Sequence, residues 1–191
     1  MFLSIIKSFN WIDILVIILI FRICYIAISR GFFVEFFKCL GAIFSVFISL
    51  HYYTTLGDAL SRLFKIKVIS VELWDFLAFF ILWLISSVLF WFLRLVFITL
   101  IKVEVISVLN RWLSFLLGLF RGFIIVSLLM FLFSIPAINY LKKSVKHSYL
   151  GRRIFFVSPS LYKGIFKGLV SKFMPQEELN PAVSEIVEDL E

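Results

Sequence analysis

Charge is what this sequence has least of. Its 191 residues hold only 12 Asp and Glu against 19 Lys and Arg, so 16% are charged and 62% hydrophobic. Ordinary soluble domains carry about 25% charged residues, and a chain this poor in charge cannot hydrate its own outside in water. The composition excludes a typical soluble domain and points to a membrane protein. Cysteine is also scarce: Cys24 and Cys39 lie inside apolar runs, form no Cys-x-x-Cys or metal-ligand spacing, and are expected as buried small residues. The two histidines, His51 and His147, are too distant to suggest a metal site, and His51 is expected at the membrane interface beside Tyr52 and Tyr53. No zinc-ligand pair, phosphate loop or nucleophile motif is present, and the serines sit in apolar helices where packing explains them. The expectation is therefore no enzyme, no metal and no cofactor. The net charge of +7 lies beside apolar segments and not in a separable basic domain, which argues against nucleic acid and for anionic lipid headgroups.

Long apolar runs are what the chain does have. A bilayer crossing takes about 20 largely apolar residues, and residues 11–29, 32–51, 73–100 and 112–141 meet that demand. The expected fold is an all-α integral membrane protein of about four transmembrane helices with interfacial amphipathic segments. It divides into a transmembrane domain over 1–141 and a tail over 142–191, basic at first and then acidic. The first stretch reads as a permanent helix and not a cleaved leader, because Arg22 interrupts it and no small-x-small site follows before Arg30. A phrase occurs twice, Arg30-Gly31-Phe32-Phe33 and Arg121-Gly122-Phe123-Ile124, each heading an apolar run that ends near tyrosine, at Tyr52 and Tyr53 or at Tyr140. The echo suggests two related halves with both arginines at similar depth.

At the first helix Asn10 can cap, Trp11 can anchor among headgroups, and Asp13 suits the positive end of the helix dipole. Arg22 falls where a charge costs about 2.5–3.5 kcal/mol, so it either snorkels outward past Tyr25 or meets a buried partner. Only Arg30 and Gly31 separate the first two helices, which should form a tight antiparallel hairpin. Glu35 and Lys38 share one face of the second helix, and Gly41, Ser45 and Ser49 make a small-residue stripe of the kind that lets helices approach. Residues 54–72 turn polar; Arg62, Lys65 and Lys67 beside Leu60, Leu63, Phe64 and Ile66 fit a basic amphipathic segment on the membrane surface. Trp74 and Trp91 stand roughly 25 Å apart along a third helix, which suits anchors at both interfaces and leaves Arg94 at or beyond the far one.

Lys102, Glu104, Asn110 and Arg111 make the approach to the fourth region polar. Counting one span back from Tyr140 lands on Arg121, so residues 107–120 form an interfacial or re-entrant helix, or else one long tilted helix takes Arg121 deeper. Ser114, Gly118 and Gly122 form a second small-residue stripe, the natural partner of the first, and Pro136 should kink the last turns. The sharpest expected pair is Glu35 with Arg121 across the two stripes. The alternative satisfies Glu35 with Lys38 and Arg121 with headgroups.

Beyond Leu141, residues 142–172 hold eight basic side chains and no acidic one: Lys142, Lys143, Lys146, Arg152, Arg153, Lys163, Lys167 and Lys172. Such a cluster marks the cytoplasmic side and attracts anionic headgroups. Leu161, Ile165, Phe166, Leu169, Val170 and Phe173 share a helical face, which fits a segment lying flat on the bilayer. The end of the chain is acidic, and Asn180-Pro181 can start a short helix with Val183, Ile186, Val187 and Leu190 on one side. It folds back on the basic segment, docks a partner or frays in solvent. With Lys7, the 54–72 loop and the tail counted as basic, both termini are expected in the cytoplasm, although Arg30, Lys102 and Arg111 fall on the opposite side.

Taken together these residues resemble the colicin V production protein (CvpA) family. Its first signature is matched by Asp13, Arg30, Gly31, Phe32, Glu35 and Gly41, and its second by Arg111, Gly118, Arg121 and Gly122. Asn110 stands where Asp is usual, Ser114 where Gly is usual, and Ala27 where Gly is frequent. The resemblance covers residues 10–145. It implies a multi-pass protein of the bacterial inner membrane needed for colicin V production or export and linked to envelope integrity, with no settled biochemical activity. Asp13, Arg22, Arg30, Gly31, Glu35, Asn110, Arg111, Gly118, Arg121 and Gly122 are the candidate functional or structural residues. Two functions follow: a membrane protein acting through contacts with secretion or envelope membrane proteins, or a small transporter or channel subunit, suggested by the intramembrane charges Arg22, Glu35, Lys38 and Arg121 and requiring a homo-oligomer.

Overall fold

The structure is a computed structural model that describes residues 10–64, 70–100 and 107–190. Among these residues there are helices and no strands, and four helices are long and apolar enough to cross a membrane: α1 (Trp11–Arg30), α2 (Phe32–Phe64), α3 (Val71–Leu100) and α4 (Ser107–Ser134). Lys7, Lys65, Ile66, Lys67, Lys102 and Glu104, which entered the reading of the sequence, lie outside the described residues.

The expected hairpin of the first two helices does not form. Gly31 ends α1 at φ 84°, a conformation costly for any side chain, and the chain then turns so that α1 and α2 barely touch. α4 fills the space between them, packing on α1 and on α2, while α3 packs along α2; the order across the bundle is α1, α4, α2, α3. A short link makes neighbours of two helix ends, but the small surfaces of α4 decide which helix lies alongside.

The boundaries differ from the expected ones in two places. At 33 residues α2 runs roughly 50 Å, well beyond the hydrocarbon core of about 30 Å, and it continues from His51 to Phe64 as a helix. This end pairs with the start of α3, where Phe64 and Trp74 stack at 5.6 Å. The described part of the polar stretch, residues 54–64, is thus the continuation of a spanning helix and not a surface-lying segment. Polarity there reports where the helix leaves the bilayer, not where it stops. Likewise α4 is one continuous helix, so residues 107–120 are neither interfacial nor re-entrant, and Arg121 lies in its middle. The helix ends at Ser134, and Pro136 sits in the break before α5 (Asn139–His147), so the span ends before Tyr140 and not at it. The Arg-Gly echo is one of sequence alone: Gly31 ends a helix, whereas Gly122 lies inside one.

After α5 come α6 (Tyr149–Phe155) and α7 (Val157–Ile165), which continues through a π-helical turn (Phe166–Val170) to Phe173. These helices insert into the bundle. Phe155 is fully buried and stacks on Phe131 of α4 at 5.8 Å, extending a ring cluster with Phe79 of α3 and Tyr53 of α2. Ser127 of α4 donates to the Phe155 carbonyl at 2.7 Å and accepts from the Ser158 amide at 2.7 Å, and Ser158 Oγ donates to the Ile124 carbonyl at 3.3 Å. Trp11, at the start of α1, is level with Phe133, so the Phe155–Ser158 corner reaches roughly 9 Å deeper, six residues along α4. Broken backbone is tolerated at such depth only where protein satisfies its polar groups, and Ser127 does so on both sides of the break. The expected flat-lying tail is therefore corrected: Tyr162 and Phe166 face the bundle, and only Leu169, Phe173 and Met174 remain as exposed apolar residues beside Lys167 and Lys172.

The end of the chain, α8 (Pro181–Leu190), folds back on the basic segment and buries Val183, Val187 and Leu190. Lys142 reaches Asp189 at 2.8 Å, Lys146 Nζ donates to the Asp189 carbonyl at 2.8 Å, and Arg152 Nε donates to the Leu190 carbonyl at 2.9 Å. The Lys142 ammonium holds the Asp189 carboxyl below its ordinary range.

Candidate functional site

Two of the candidate residues, Glu35 and Arg121, meet at an ion cluster inside the bundle. Glu35, in the first turn of α2, is fully buried. It pairs with Lys38 one turn along the same helix and with Arg121 of α4, whose Nη2 lies 2.9 Å from Glu35 Oε2. Both expected partners are present at once. Each ion would be costly alone in an apolar bundle, and the shared carboxylate explains how α2 and α4 carry three charges between the membrane surfaces. The pairing leaves one donor unmatched, because Arg121 Nε is buried without an acceptor.

Beside this cluster lies a cleft of about 390 Å³ bounded by α2, α3 and α4. It exists because α3 and α4 both pack on α2 and hardly on each other. Lys38, Arg94 and Arg121 enter it together with Trp83, Phe90 and Trp91. Arg94, expected at or beyond the far interface, lines the cleft, and its Nε is buried without an acceptor.

The turn at Gly31 is the second gathering point. Asn110 Oδ1 accepts from the Phe32 amide at 2.6 Å, capping the first turn of α2 from α4. A carboxamide serves this role without a charge. A Cβ at Gly31 would also stand 3.3 Å from Asn110 Nδ2. Arg30 and Arg111 are exposed near this end, and Arg22 is exposed beside Phe21 and Tyr25, with no hydrogen bond or ion pair to the described residues. The buried partner that Arg22 was allowed is therefore not found among the described residues.

The two small-residue stripes do not meet. Gly118 packs on Ala27 of α1, where an added Cβ would come within 2.3 Å of the Ala27 Cβ. Gly41 instead faces Phe90 of α3, where an added Cβ would come within 2.7 Å of the Phe90 Cβ. Gly122 has room, since an added Cβ meets nothing closer than Ile23 at 3.7 Å. Gly118→Ala is expected to force α1 and α4 apart and lower stability by about 1–3 kcal/mol, with Ala27→Gly restoring most of the loss and Gly122→Ala nearly silent. Thermal unfolding of the four purified proteins checks this; equal effects at 118 and 122 would refute the contact.

Asp13 does far more than meet a helix dipole. It is fully buried and closes a capping box with Asn10, whose amide donates to Asp13 Oδ2 at 2.8 Å. Its Oδ1 accepts from Ser148 Oγ at 2.7 Å and from the Leu150 amide at 2.7 Å. One carboxylate therefore ties the start of α1 to the start of α6. His51 also departs from expectation: it is buried, and Nδ1 lies 2.9 Å from the Tyr162 hydroxyl. Nearby, Asn180 donates through Nδ2 to the Leu50 and His51 carbonyls at 3.1 and 3.2 Å. Ser127, Ser148, Tyr162 and Asn180 were not legible as a set, because their partners are distant in sequence and share no period with them.

A family model described as Colicin V production protein matches residues 12–159. No curated protein and no solved structure matches. The family match begins just before Asp13 and runs through the inserted corner to Pro159, beyond the span of the residues that first carried the resemblance.

Proposed function

The chain belongs to the colicin V production protein family, and on that premise we propose that it is a non-enzymatic inner-membrane protein acting through contacts with other membrane proteins. Its service is toxin production or export, or maintenance of the envelope. One observation carries this reading: the free flank of α3. Only 17% of the apolar window of α3 is buried within the chain, against 50% for α4. Ile85, Val88 and Phe92 stand outward there, each more than half exposed. A helix held on one side by its own chain leaves the other side for a neighbouring membrane helix. The reading puts both termini in the cytoplasm, supported by the basic residues of α5 to α7 on the side where α1 starts.

The test is in-cell photocrosslinking from Ile85 and Val88 of the full chain, with the exposed Phe21 of α1 as the control. Recovery of defined secretion or envelope proteins from α3 and not from Phe21 is the expected result; lipid adducts alone would sink the proposal. Recovery of only a second copy of this chain favours the other reading, an oligomeric transporter or channel subunit. That reading rests on the cation-lined cleft and makes flux in reconstituted vesicles the deciding measurement.

A further inference from the structure

The cleft between α3 and α4 carries more positive charge than the described residues answer. Lys38, Arg94 and Arg121 contribute three cations, and among the described residues Glu35 is the one carboxylate paired with any of them. Arg94 Nε and Arg121 Nε are both buried without an acceptor. Unanswered charge in an apolar bundle is costly, and a bound anion would remove the cost. The cleft also opens sideways: Phe80, Leu84 and Trp91 on its rim are substantially exposed on α3. Its charged and apolar parts are ordered along the membrane normal. Arg94 and Lys38 sit toward the Gly31 end, where Phe37 of α2 meets Phe97 of α3, and Leu84 and Phe80 lie roughly 15–20 Å farther along α3 toward the opposite surface. That distance is about the depth of one leaflet's acyl chains, half of a hydrocarbon core of about 30 Å.

We infer that this cleft is a lateral binding site for an anionic phospholipid. The headgroup phosphate lies among Lys38, Arg94 and Arg121, with the exposed Ser87 hydroxyl on the same lining, and an acyl chain runs inward against Trp83, Leu84 and Phe80. Charge complementarity selects the headgroup, and the apolar slot selects a lipid over a free anion. The inference does not depend on the partner reading above, since it concerns the inner wall of α3 and not its outward flank.

The experiment counts bound lipid by native mass spectrometry on the full-length protein in mild detergent, offered equimolar phosphatidylglycerol and phosphatidylcholine with the same chains. The expected result is a preference of at least about fivefold for phosphatidylglycerol in the wild type, on the scale of about 1 kcal/mol. It should fall below about twofold in Arg94→Gln and persist in Arg22→Gln, an exposed residue of α1 that does not line the cleft. Arg94 is not paired with Glu35, so its substitution spares the ion cluster. Ser87→Leu, which fills the cleft from its rim without changing charge, should lower occupancy by both lipids and gives a second variant should Arg94→Gln misfold. Equal occupancy by the two lipids in the wild type overturns the inference, as does an equal loss in Arg22→Gln and Arg94→Gln. Displacement of phosphatidylglycerol by millimolar inorganic phosphate assigns the cations to a soluble anion and also overturns it.

Discussion

Asp13→Ala is expected to release α5 to α8 from the bundle while leaving the four long helices inserted. The substitution strips the acceptor from Asn10 N, Ser148 Oγ and Leu150 N, all within 2.8 Å of the carboxylate. A buried donor left unmatched costs about 1–3 kcal/mol, so the loss is roughly 3–5 kcal/mol, and it falls on the joint between α1 and α6. Asp13→Asn keeps one oxygen and should lose about half as much. Limited proteolysis in detergent reads the effect directly. New cleavage within residues 139–166, with the span fragments intact, is the expected pattern. An Asp13→Ala protein that matches the wild type in protease resistance and melting temperature would mean that the ring cluster around Phe131 and Phe155 holds the segment unaided.

Glu35→Gln should destabilise the bundle by about 3–5 kcal/mol, the usual loss when one partner of a buried ion pair is removed. It leaves Lys38 and Arg121 facing each other without a counter-charge. Adding Arg121→Gln should then recover about 1–3 kcal/mol relative to the sum of the single losses, because the orphaned guanidinium is gone. The cycle has to use neutral substitutions. An exchange of the charges would set a new cation at position 35 beside Lys38, one helical turn away, so it fails even though the original pair is real. Unfolding of the wild type, both single variants and the double variant gives the coupling; additive losses within about 0.5 kcal/mol would dismiss it.

Structure that rests on local physics is legible in this sequence, and structure that rests on distant contacts is less so. Asn10, Trp11 and Asp13 mark the start of α1 because capping and anchoring involve adjacent residues, and the structure starts α1 there. The small-residue stripes were visible, but their partners were not: Gly118 needs Ala27 and Gly41 needs Phe90, and spacing along one helix says nothing about which helix faces it. Arg94 shows the same limit. Its spacing from Trp74 and Trp91 spoke to its level along α3, whereas only the gap left between α3 and α4 makes it part of a cleft. The inserted corner at Phe155–Ser158 was masked by its own sequence, since the basic residues around it read as a surface segment while the buried face is made by Ile154, Phe155, Ser158 and Tyr162.

By itself the sequence determined the environment, the number of crossings and the sign of charge after the last one. Those properties follow from the free energy of moving side chains between water and hydrocarbon, which is nearly additive along the chain. Tertiary structure alone decided that α4 lies between α1 and α2, that Glu35 answers Lys38 and Arg121 together, and that the C-terminal helices enter the bundle through Asp13 and Ser127. Each of these depends on surfaces and polar groups that meet only after the chain has folded, and the cost of leaving a buried donor or charge unmatched is what selects among the possible meetings.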